Sequence, residues 1–332
     1  MPATLEITSP SPVKPPRRGS RFRPSFRFGH LLEWMAHGVG IGCVAGLLLR
    51  VTLQDRIPRL AILFYMTPLI VLTIGLLGVA VVYWFRRRIF RSKYAMILAI
   101  LCAGWWASSC VSWRSQPSDT PKTAVLLWNT QRGAAGWPSV ADFIRVHDAP
   151  IIGLVEAARN TAERQEFWIN EFQDRTVVTF RQQMVLITQY DILSQEQGEL
   201  VPGSFYARVD LRLNHQTLTV FLVDIQSKAW GTHRPAALKS LKDRIASITE
   251  NPVIVMGDFN TPTDSVFFDS WRTSMRNAFE ESGRGESATW PTPFPVLALD
   301  HIWLTNGVKS LTTRHLTSRC SDHQAVISEL TW

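Results

Sequence analysis

The chain has 332 residues, which is enough for two domains, and its net charge of +8 is unevenly distributed. The first 121 residues carry 15 Lys and Arg against 4 Asp and Glu, so the other 211 residues have a net charge of −3. The C-terminal part therefore lacks the overall basic character that is typical of nucleic-acid-binding domains. Only Cys320 lies outside the apolar N-terminal segments, which excludes an internal disulfide in the C-terminal part.

The N-terminal arm, residues 1–30, is polar and rich in proline and serine. It carries six basic residues: Lys14, Arg17, Arg18, Arg21, Arg23 and Arg27. This composition predicts a disordered arm that lies on the cytoplasmic side of a membrane, near anionic lipid headgroups.

Three apolar segments follow, at residues 31–49, 60–85 and 94–113. The second segment carries no charge, and the third is close to the ~20 residues that cross a bilayer. We therefore predict a membrane module at residues 31–113 with about three transmembrane helices.

The first apolar segment also contains a regular spacing of glycines. Gly38, Gly42 and Gly46 recur every four residues, so they would share one face of a helix. Small residues at this spacing favour close helix packing, which makes a weak homodimer through this helix a hypothesis.

A second basic cluster lies between the second and third apolar segments: Arg86, Arg87, Arg88, Arg91 and Lys93. Lys and Arg concentrate in cytoplasmic loops of membrane proteins. The N-terminal arm and this turn therefore both belong on the cytoplasmic side. Three spans would then place the C-terminal part outside the cytoplasmic membrane.

Residues 114–121 contain two prolines among polar neighbours and predict a linker, and residues 122–332 predict an α/β domain. In that domain strand-like runs alternate with four predicted helices, at residues 139–146, 161–172, 235–248 and 264–273. This alternation fits two packed sheets with helices on their outer faces.

Five polar clusters lie at the ends of predicted strands. The most informative is the run 253–256, which ends in Gly257, Asp258, Phe259 and Asn260 and reads as a buried strand that delivers an Asp and an Asn. The other four clusters are, in chain order, Asn129, Glu156, Asp300 with His301, and Asp322 with His323. Strand ends are where α/β enzymes carry their chemistry, and five such clusters are hard to explain as independent turns.

Three of these residues have the chemistry of a metal site. Glu156 and Asp322 offer carboxylates, and Asn129 offers an amide carbonyl. Hard oxygen ligands suit Mg²⁺ or Mn²⁺, and the sequence offers no Cys or multi-His zinc site. Attack of water on a phosphoester needs neutralised charge and an activated water, which a metal, a carboxylate base and an amide can supply together.

The five clusters, in this order and spacing, resemble the endonuclease/exonuclease/phosphatase superfamily, which has a deoxyribonuclease I-like fold. The likeness runs from about Thr123 to the C-terminus, and Thr289-Trp290-Pro291 is similar to the pattern of the bacterial membrane-anchored branch. The resemblance implies a four-layer α/β sandwich, with two mixed β-sheets face to face, helices outside, and an active site at one rim. It also implies a multi-pass protein of the bacterial cytoplasmic (inner) membrane.

The resemblance implies a role for each residue of the site. Asp258 would be the general base, and Asn260 would orient the water or the phosphate. His323 would bind phosphate oxygens, and Asp300 would hold its ring in one tautomer. Two other interpretations stay open, in which His323 is an exposed turn residue and Glu156 caps the following helix.

One position departs from the superfamily pattern. Asp224 ends an alternating apolar strand where a histidine is usual. A carboxylate there would repel an anionic substrate unless it is protonated or bound to metal. We consider His233 and Arg234, beside Lys228, as candidates to replace the missing positive charge.

Arg208 and His301 are two further candidates for substrate binding. Arg208 lies on an alternating strand and could reach phosphate, although a cross-strand pair on the surface is the competing interpretation. His301 follows Asp300 on a strand and so points to the opposite face, which leaves a rim role and a structural role open.

We therefore expect a metal-dependent phosphoesterase, tethered to the outer face of the cytoplasmic membrane, that hydrolyses a phosphodiester or a phosphomonoester. Its substrate class stays open among nucleic acid, lipid and small phosphate esters. A phospholipid or sugar-phosphate phosphodiesterase is the alternative enzyme. A membrane-anchored binding domain that has lost turnover is the alternative of another class, because of Asp224.

Overall fold

The computed structural model describes residues 25–114, 122–157, 162–213, 216–228 and 233–332. Most of the predicted basic arm and all but the first residue of the predicted linker lie outside these ranges. The N-terminal helical module, residues 25–110, consists of α1 (Ser25–Val51), α2 (Ala61–Tyr65), α3 (Leu69–Phe85) and α4 (Ile89–Cys110).

The second predicted span is broken rather than continuous. The helical segments Pro58–Tyr65 and Leu69–Phe85 are bent by 54°. Pro68 explains the break, because proline disfavours helical geometry at Thr67 and cannot donate a backbone hydrogen bond. Gly29–Val51 and Ile89–Cys110 are long and apolar enough to cross a membrane, and the bent pair makes a third span if it is counted as one.

The glycines of α1 do not form one continuous free face. A Cβ on Gly46 would lie 2.9 Å from Leu72 and 3.0 Å from Thr67, so this glycine lets α1 approach α3 within the chain. Gly38 and Gly42 meet no described atom within 4 Å. Only these two glycines leave room for a second copy, and the homodimer stays a hypothesis.

The rest of the chain forms two mixed β-sheets with helices on their outer faces, as predicted. An eight-stranded sheet has the order β1-β11-β13-β14-β2-β3-β5-β4, and a six-stranded sheet has the order β10-β12-β9-β8-β7-β6. The strands are β1 (Val111–Trp113), β2 (Thr123–Asn129), β3 (Ile151–Val155), β4 (Thr176–Thr179), β5 (Val185–Thr188), β6 (Asp191–Val201), β7 (Ser204–Leu213), β8 (Gln216–Asp224), β9 (Val253–Asp258), β10 (Arg276–Asn277), β11 (Gly283–Glu286), β12 (Asp300–Leu304), β13 (Lys309–Leu316) and β14 (Ala325–Thr331).

Side chains alternate between the two faces of each strand, and the buried ones form three apolar layers. In β2, Val125 and Leu127 face the other sheet, while Leu126 and Trp128 face the outer helices. Both faces of the central strands are therefore buried, which explains why these strands read as continuous apolar runs. Gly153 lies where the sheets approach, because a Cβ there would be 2.5 Å from the Met256 side chain.

The predicted helices agree with the structure in three of four cases. The outer helices are α5 (Trp137–His147), α6 (Ala162–Glu171) and α7 (His233–Ala246). The fourth prediction, at residues 264–273, is wrong in part, because a 3-10 turn at Val266–Phe268 precedes the short helix α8 (Asp269–Arg272). A further short helix, α9 (Ala278–Ser282), follows Asn277, whose side chain caps its N-terminus.

The helical module is joined to the sheet directly. Helix α4 ends at Cys110, and β1 follows at once and pairs antiparallel with β11. Ser287 N–H also donates to Cys110 O at 2.8 Å. The attachment to the C-terminal domain therefore begins before the predicted linker.

Candidate active site

The polar clusters meet at one rim because of the sheet topology. Strands β2 and β3 are parallel and neighbouring, with Asn129 opposite Val155, so Asn129 and Glu156 leave the sheet together. In the other sheet, Asp258 ends β9, and Asp300 begins the antiparallel β12 directly opposite it. This strand starts at Asp300 itself, so Asp300 lies at the beginning of its strand.

Asp258 lies at the centre of this rim and is almost fully buried. Its Oδ1 accepts from Asn260 N–H at 2.8 Å, and its Oδ2 accepts from Asn129 Nδ2 at 3.0 Å. Burial and the neighbouring Asp300 carboxylate raise the pKa of Asp258 to about 7, against the opposing effect of His323. A carboxyl group with this pKa changes protonation near neutral pH, as a general base should.

Gly257 is required next to this carboxylate. A Cβ at Gly257 would lie 2.0 Å from the Val223 carbonyl oxygen of the neighbouring strand. No side chain fits there, so the glycine of the Gly-Asp-Phe-Asn segment allows β8 and β9 to run close together. On the other side of Asp258, Asn260 has φ 46° and donates from Nδ2 to Ile225 O at 2.9 Å.

Asp300 and His323 form a buried pair beside Asp258. His323 Nδ1 lies 2.8 Å from Asp300 Oδ2, and both residues are nearly inaccessible to solvent. Burial alone would lower the pKa of His323, but the charge and hydrogen bond of Asp300, together with Asp258 and Asp322, raise it to about 10. The imidazole is therefore a cation at neutral pH, and the competing interpretation of an exposed turn residue is wrong.

These three residues also have the ligand types of a metal site. One ligand atom from each of Asp258, Asp300 and His323 lies within 4.8 Å of the other two. However, a metal-bound imidazole must be deprotonated, whereas His323 has its Nδ1 on Asp300 and a pKa of about 10. We therefore interpret the trio as a hydrogen-bonded acid–base cluster.

Glu156 and Asn129 lie on the other side of Asp258. Asn129 Nδ2 is 3.5 Å from Glu156 Oε1, and the Asn129 Oδ1 accepts from Gln131 N–H at 3.0 Å. The amide therefore turns its nitrogen toward both carboxylates, and rotation about its Cβ–Cγ bond would offer the carbonyl instead. Glu156 has φ 53°, an uncommon conformation for a non-glycine residue that is concentrated at functional sites.

Asp322 is held at the mouth of the site by Trp290, which the sequence singled out, and by Gln131, which it did not. Trp290 Nε1 donates to Asp322 Oδ2 at 3.0 Å, and Asp322 N–H donates to Gln131 Oε1 at 3.1 Å. Arg132 Nε lies 3.0 Å from Glu156 Oε2. The only sequence signal for Gln131 and Arg132 is that they follow Asn129 directly.

Asp224 faces the same carboxylates. It ends β8 opposite Asp258 of β9 in the parallel pair. Burial, followed by the charges of Asp258 and Glu156, raises its pKa well above the ordinary value. A carboxyl group whose pKa is raised ionises less readily, which weakens the expected repulsion of an anionic substrate.

Three residues that were predicted to bind substrate have other partners in the structure, and their role in substrate binding stays a prediction. Arg208 pairs with Asp210 on its own strand at 3.0 Å. The Arg234 guanidinium is buried, donates to the carbonyls of Gln226, Ser227 and Lys228, and lies 5.1 Å from the Tyr65 ring. His301 is buried among aromatic rings, with Nε2 2.9 Å from Thr261 O.

His233 begins α7 and is exposed. Residues 229–232, which precede it, lie outside the described ranges, so its candidate role stays a prediction.

The donor set fits a hard divalent cation. Asp224 and Asp258 both have raised pKa values because buried carboxyl groups crowd one rim, and bound positive charge would relieve this. At the same rim, Glu156 and Asp322 offer carboxylate oxygens, and Asn129 would offer its amide oxygen after rotation. Oxygen ligands of this kind suit Mg²⁺ or Mn²⁺.

Comparison with known proteins agrees with this geometry. The sequence model of the Endonuclease/Exonuclease/phosphatase family matches residues 126–323. No functionally curated protein matches the chain.

Solved structures match the fold over about two thirds of the chain. An endonuclease/exonuclease/phosphatase family protein from Bacteroides thetaiotaomicron is 16% identical, with a TM-score of 0.53 over 64% of this chain and 98% of its own. The mannosyl-6-phosphatase of the same organism is 15% identical, with a TM-score of 0.53 over 63% of this chain and 100% of its own. D. rerio TDP2 with a single-strand DNA product is 13% identical, with a TM-score of 0.53 over 64% of this chain and 100% of its own.

Proposed function

The chain belongs to the endonuclease/exonuclease/phosphatase family, and on that premise we propose that its C-terminal domain, residues 122–332, is a divalent-metal-dependent phosphoesterase. The observation that carries the proposal is the meeting of Asp258, its amide partner Asn129 and the Asp300–His323 pair at one rim. These groups supply a base with a pKa of about 7 next to a buried imidazolium.

Mg²⁺ or Mn²⁺ would be held by Glu156, by Asp322 and by Asn129 after rotation of its amide, and when bound it would neutralise phosphate charge and acidify water. Asp258 takes the proton from the attacking water on Oδ2, since Asn260 N–H holds Oδ1 and rotation of the Asn129 amide releases Oδ2. His323 donates from Nε2 to a phosphate oxygen. Asp300 fixes the ring through Nδ1 and keeps it charged as negative charge builds up on the phosphorus oxygens.

The full-length protein in detergent should hydrolyse bis-p-nitrophenyl phosphate with Mg²⁺ or Mn²⁺ and lose that activity in EDTA. Asp258→Asn, purified in the same way, is the control for contaminating phosphatases. Activity that is equal in the variant and the wild type would overturn the proposal. A folded wild type that turns over neither diesters nor monoesters would favour the alternative of a binding domain.

A membrane location with the catalytic domain outside the cytoplasm is part of the proposal. The basic turn lies at one end of the helical module, where Arg88 Nε is 2.8 Å from Glu33 Oε1. The C-terminal domain attaches at the opposite end, after Cys110 and around Arg50. This arrangement supports a cytoplasmic basic turn and a bacterial inner-membrane protein with an extracytoplasmic domain.

A membrane phosphoester is the second candidate substrate, because the rim of the site rests on the helical module. Leu297, which follows Trp290 in the same loop, packs against Ala61, Phe64 and Tyr65. Phe294, at the tip of this loop, is 81% exposed. Turnover of phospholipid in mixed micelles, compared with a sugar phosphate and a single-stranded oligonucleotide, would separate the three substrate classes.

A further inference from the structure

Two charged side chains of the helical module are buried against the loop that leaves the active site. Asp55, between α1 and α2, is fully buried, and Arg50, in the last turn of α1, is nearly so. A buried charge is unfavourable unless it is fully paired, so the partners of these two groups indicate what they do.

Asp55 holds the backbone at the end of the loop. Its Oδ1 accepts from Val266 N–H at 3.1 Å, and its Oδ2 accepts from the Ser265 hydroxyl and from the Tyr65 hydroxyl, the latter at 3.3 Å. The carboxylate thus has donors from both parts of the protein. It joins the helical module to residues 265–266 of the C-terminal domain.

Arg50 holds the residue just before. Its Nη1 pairs with Asp264, its Nη2 donates to Phe64 O at 3.2 Å, and its Nε donates to Thr67 O. The guanidinium also lies 4.2 Å from the centre of the Phe64 ring. Four contacts of one side chain fix the position of Asp264 relative to α2.

The held residues lie close along the chain to the catalytic centre. Asn260 donates to Asp258, Thr261 O lies 2.9 Å from His301 Nε2, and residues 264–266 carry the contacts to Arg50 and Asp55. Only three residues separate Asp264 from Asn260, so a displacement at Asp264 would be transmitted to the Asn260 amide.

Close packing does not hold this loop on all sides. A cavity of about 360 Å³ lies between the helical module and the C-terminal domain, and Pro262, Thr263, Asp264 and Asp300 are among the residues that line it. Within the C-terminal domain, Arg272 Nη2 donates to Thr263 O at 2.7 Å, so the contacts of Arg50 and Asp55 hold the loop together with this one.

We propose that Asp55 and Arg50 are positioning residues of the active site, which hold the loop 261–266 and thereby the Asn260 amide on Asp258. The kinetic test of this proposal rests on the proposed phosphoesterase function. It means that the N-terminal helices are part of the catalytic unit as well as its anchor. A C-terminal domain expressed without them would lack these contacts and strand β1.

The test uses full-length protein in detergent and compares Asp55→Leu, Asp55→Asn and Arg50→Met with the wild type. We expect kcat to fall about 10- to 100-fold in Asp55→Leu and Arg50→Met, as small displacements of catalytic groups do, with KM changed by less than about twofold. Asp55→Asn keeps one acceptor oxygen, which can serve Val266 N–H, and should recover part of kcat. Asp243→Asn, which breaks an exposed ion pair with Lys239, is the matched control and should change neither constant.

Hydrogen exchange provides a readout that does not depend on activity. Amides 259–267 should exchange at least about tenfold faster in Asp55→Leu, whereas those of β2 and β3 should keep their wild-type rates. Unchanged exchange at 259–267 together with unchanged kcat would overturn the proposal, as would equally increased exchange throughout the domain. If the wild type turns over no phosphoester, the proposed function fails, and the exchange at 259–267 still decides the positioning role.

Discussion

Asp300 Oδ2 lies 2.8 Å from Nδ1 of His323, and this contact keeps the imidazole charged in a site where burial alone would discharge it. The raised pKa, about 10, sets the sign of its contribution to stability. The stabilisation is fully present below about pH 6.5, the ordinary pKa of histidine, and is lost as the pH rises toward 10.

Asp300→Asn should shift the alkaline limb of activity to lower pH. Without the carboxylate, burial dominates and His323 loses its proton near or below neutrality, so kcat/KM at pH 8 should fall by about 10²-fold or more. A pH–rate profile of both proteins, with Asp243→Asn as control, measures this. An alkaline limb near 10 in both proteins would contradict the assignment of Asp300.

Asp258→Asn and Glu156→Gln should separate base chemistry from metal binding. Loss of a general base costs about 10²–10⁴-fold in rate, and Asp258→Asn should show this with metal affinity mostly retained. Glu156→Gln should instead weaken the binding of Mn²⁺, which titration calorimetry of the full-length protein can measure. In the wild type, activity should fall at acid pH, because the protonated form of Asp258 cannot accept a proton; its pKa is about 7 in the metal-free site, and a bound cation should lower it. Near-normal turnover in Asp258→Asn would exclude it as the base.

The two sheets and the central residues of the site could be predicted from the sequence, because the apolar patterns show where the strands end. Asn129, Asp258 and His323 adjoin strands with strong apolar patterns, so their convergence followed from the fold. The partners of long charged side chains could not be predicted, since they depend on tertiary neighbours. Arg234 illustrates this. Its guanidinium donates to carbonyls of the preceding loop and lies over the ring of Tyr65 in the helical module.

The contact between the helical module and the C-terminal domain also had no sequence signal. Asp55 lies in a short polar connection, where an acidic residue is ordinarily solvated. Its burial depends on Ser265 and Val266, more than 200 positions away along the chain. A pattern that is read within a local window cannot show such a pairing.

The topology predicts where a reporter at the C-terminus works. Alkaline phosphatase fused after Trp332 should be active in bacterial cells, and a cytoplasmic fluorescent reporter at the same point should be dark. Substituting glutamine for the cluster Arg86, Arg87, Arg88, Arg91 and Lys93 should reduce this bias, since Lys and Arg favour the cytoplasmic side of a membrane. The reverse pattern of reporter activity would contradict the three-span arrangement.

Asp224 is the last test, because its protonation decides between a repelling carboxylate and a neutral one. A carboxylate facing the phosphate would oppose an anionic substrate by about 1 to 4 kcal/mol, depending on the local dielectric, so its removal would help. The raised pKa favours the neutral form of the carboxyl group. We therefore expect Asp224→Asn, which preserves the shape and carries no charge, to leave kcat/KM within about threefold of the wild type at low salt.

The charge alternatives for Asp224 give different results in the same assay. A rise in kcat/KM that shrinks at high salt would show that Asp224 is ionised and repels the substrate, contrary to our expectation. A loss of activity that extra Mn²⁺ restores would make Asp224 a metal ligand. Asp224→His would add a cationic donor at this position, and a gain in that variant alone would mean that the site still recognises phosphate but lacks a positive group to bind it.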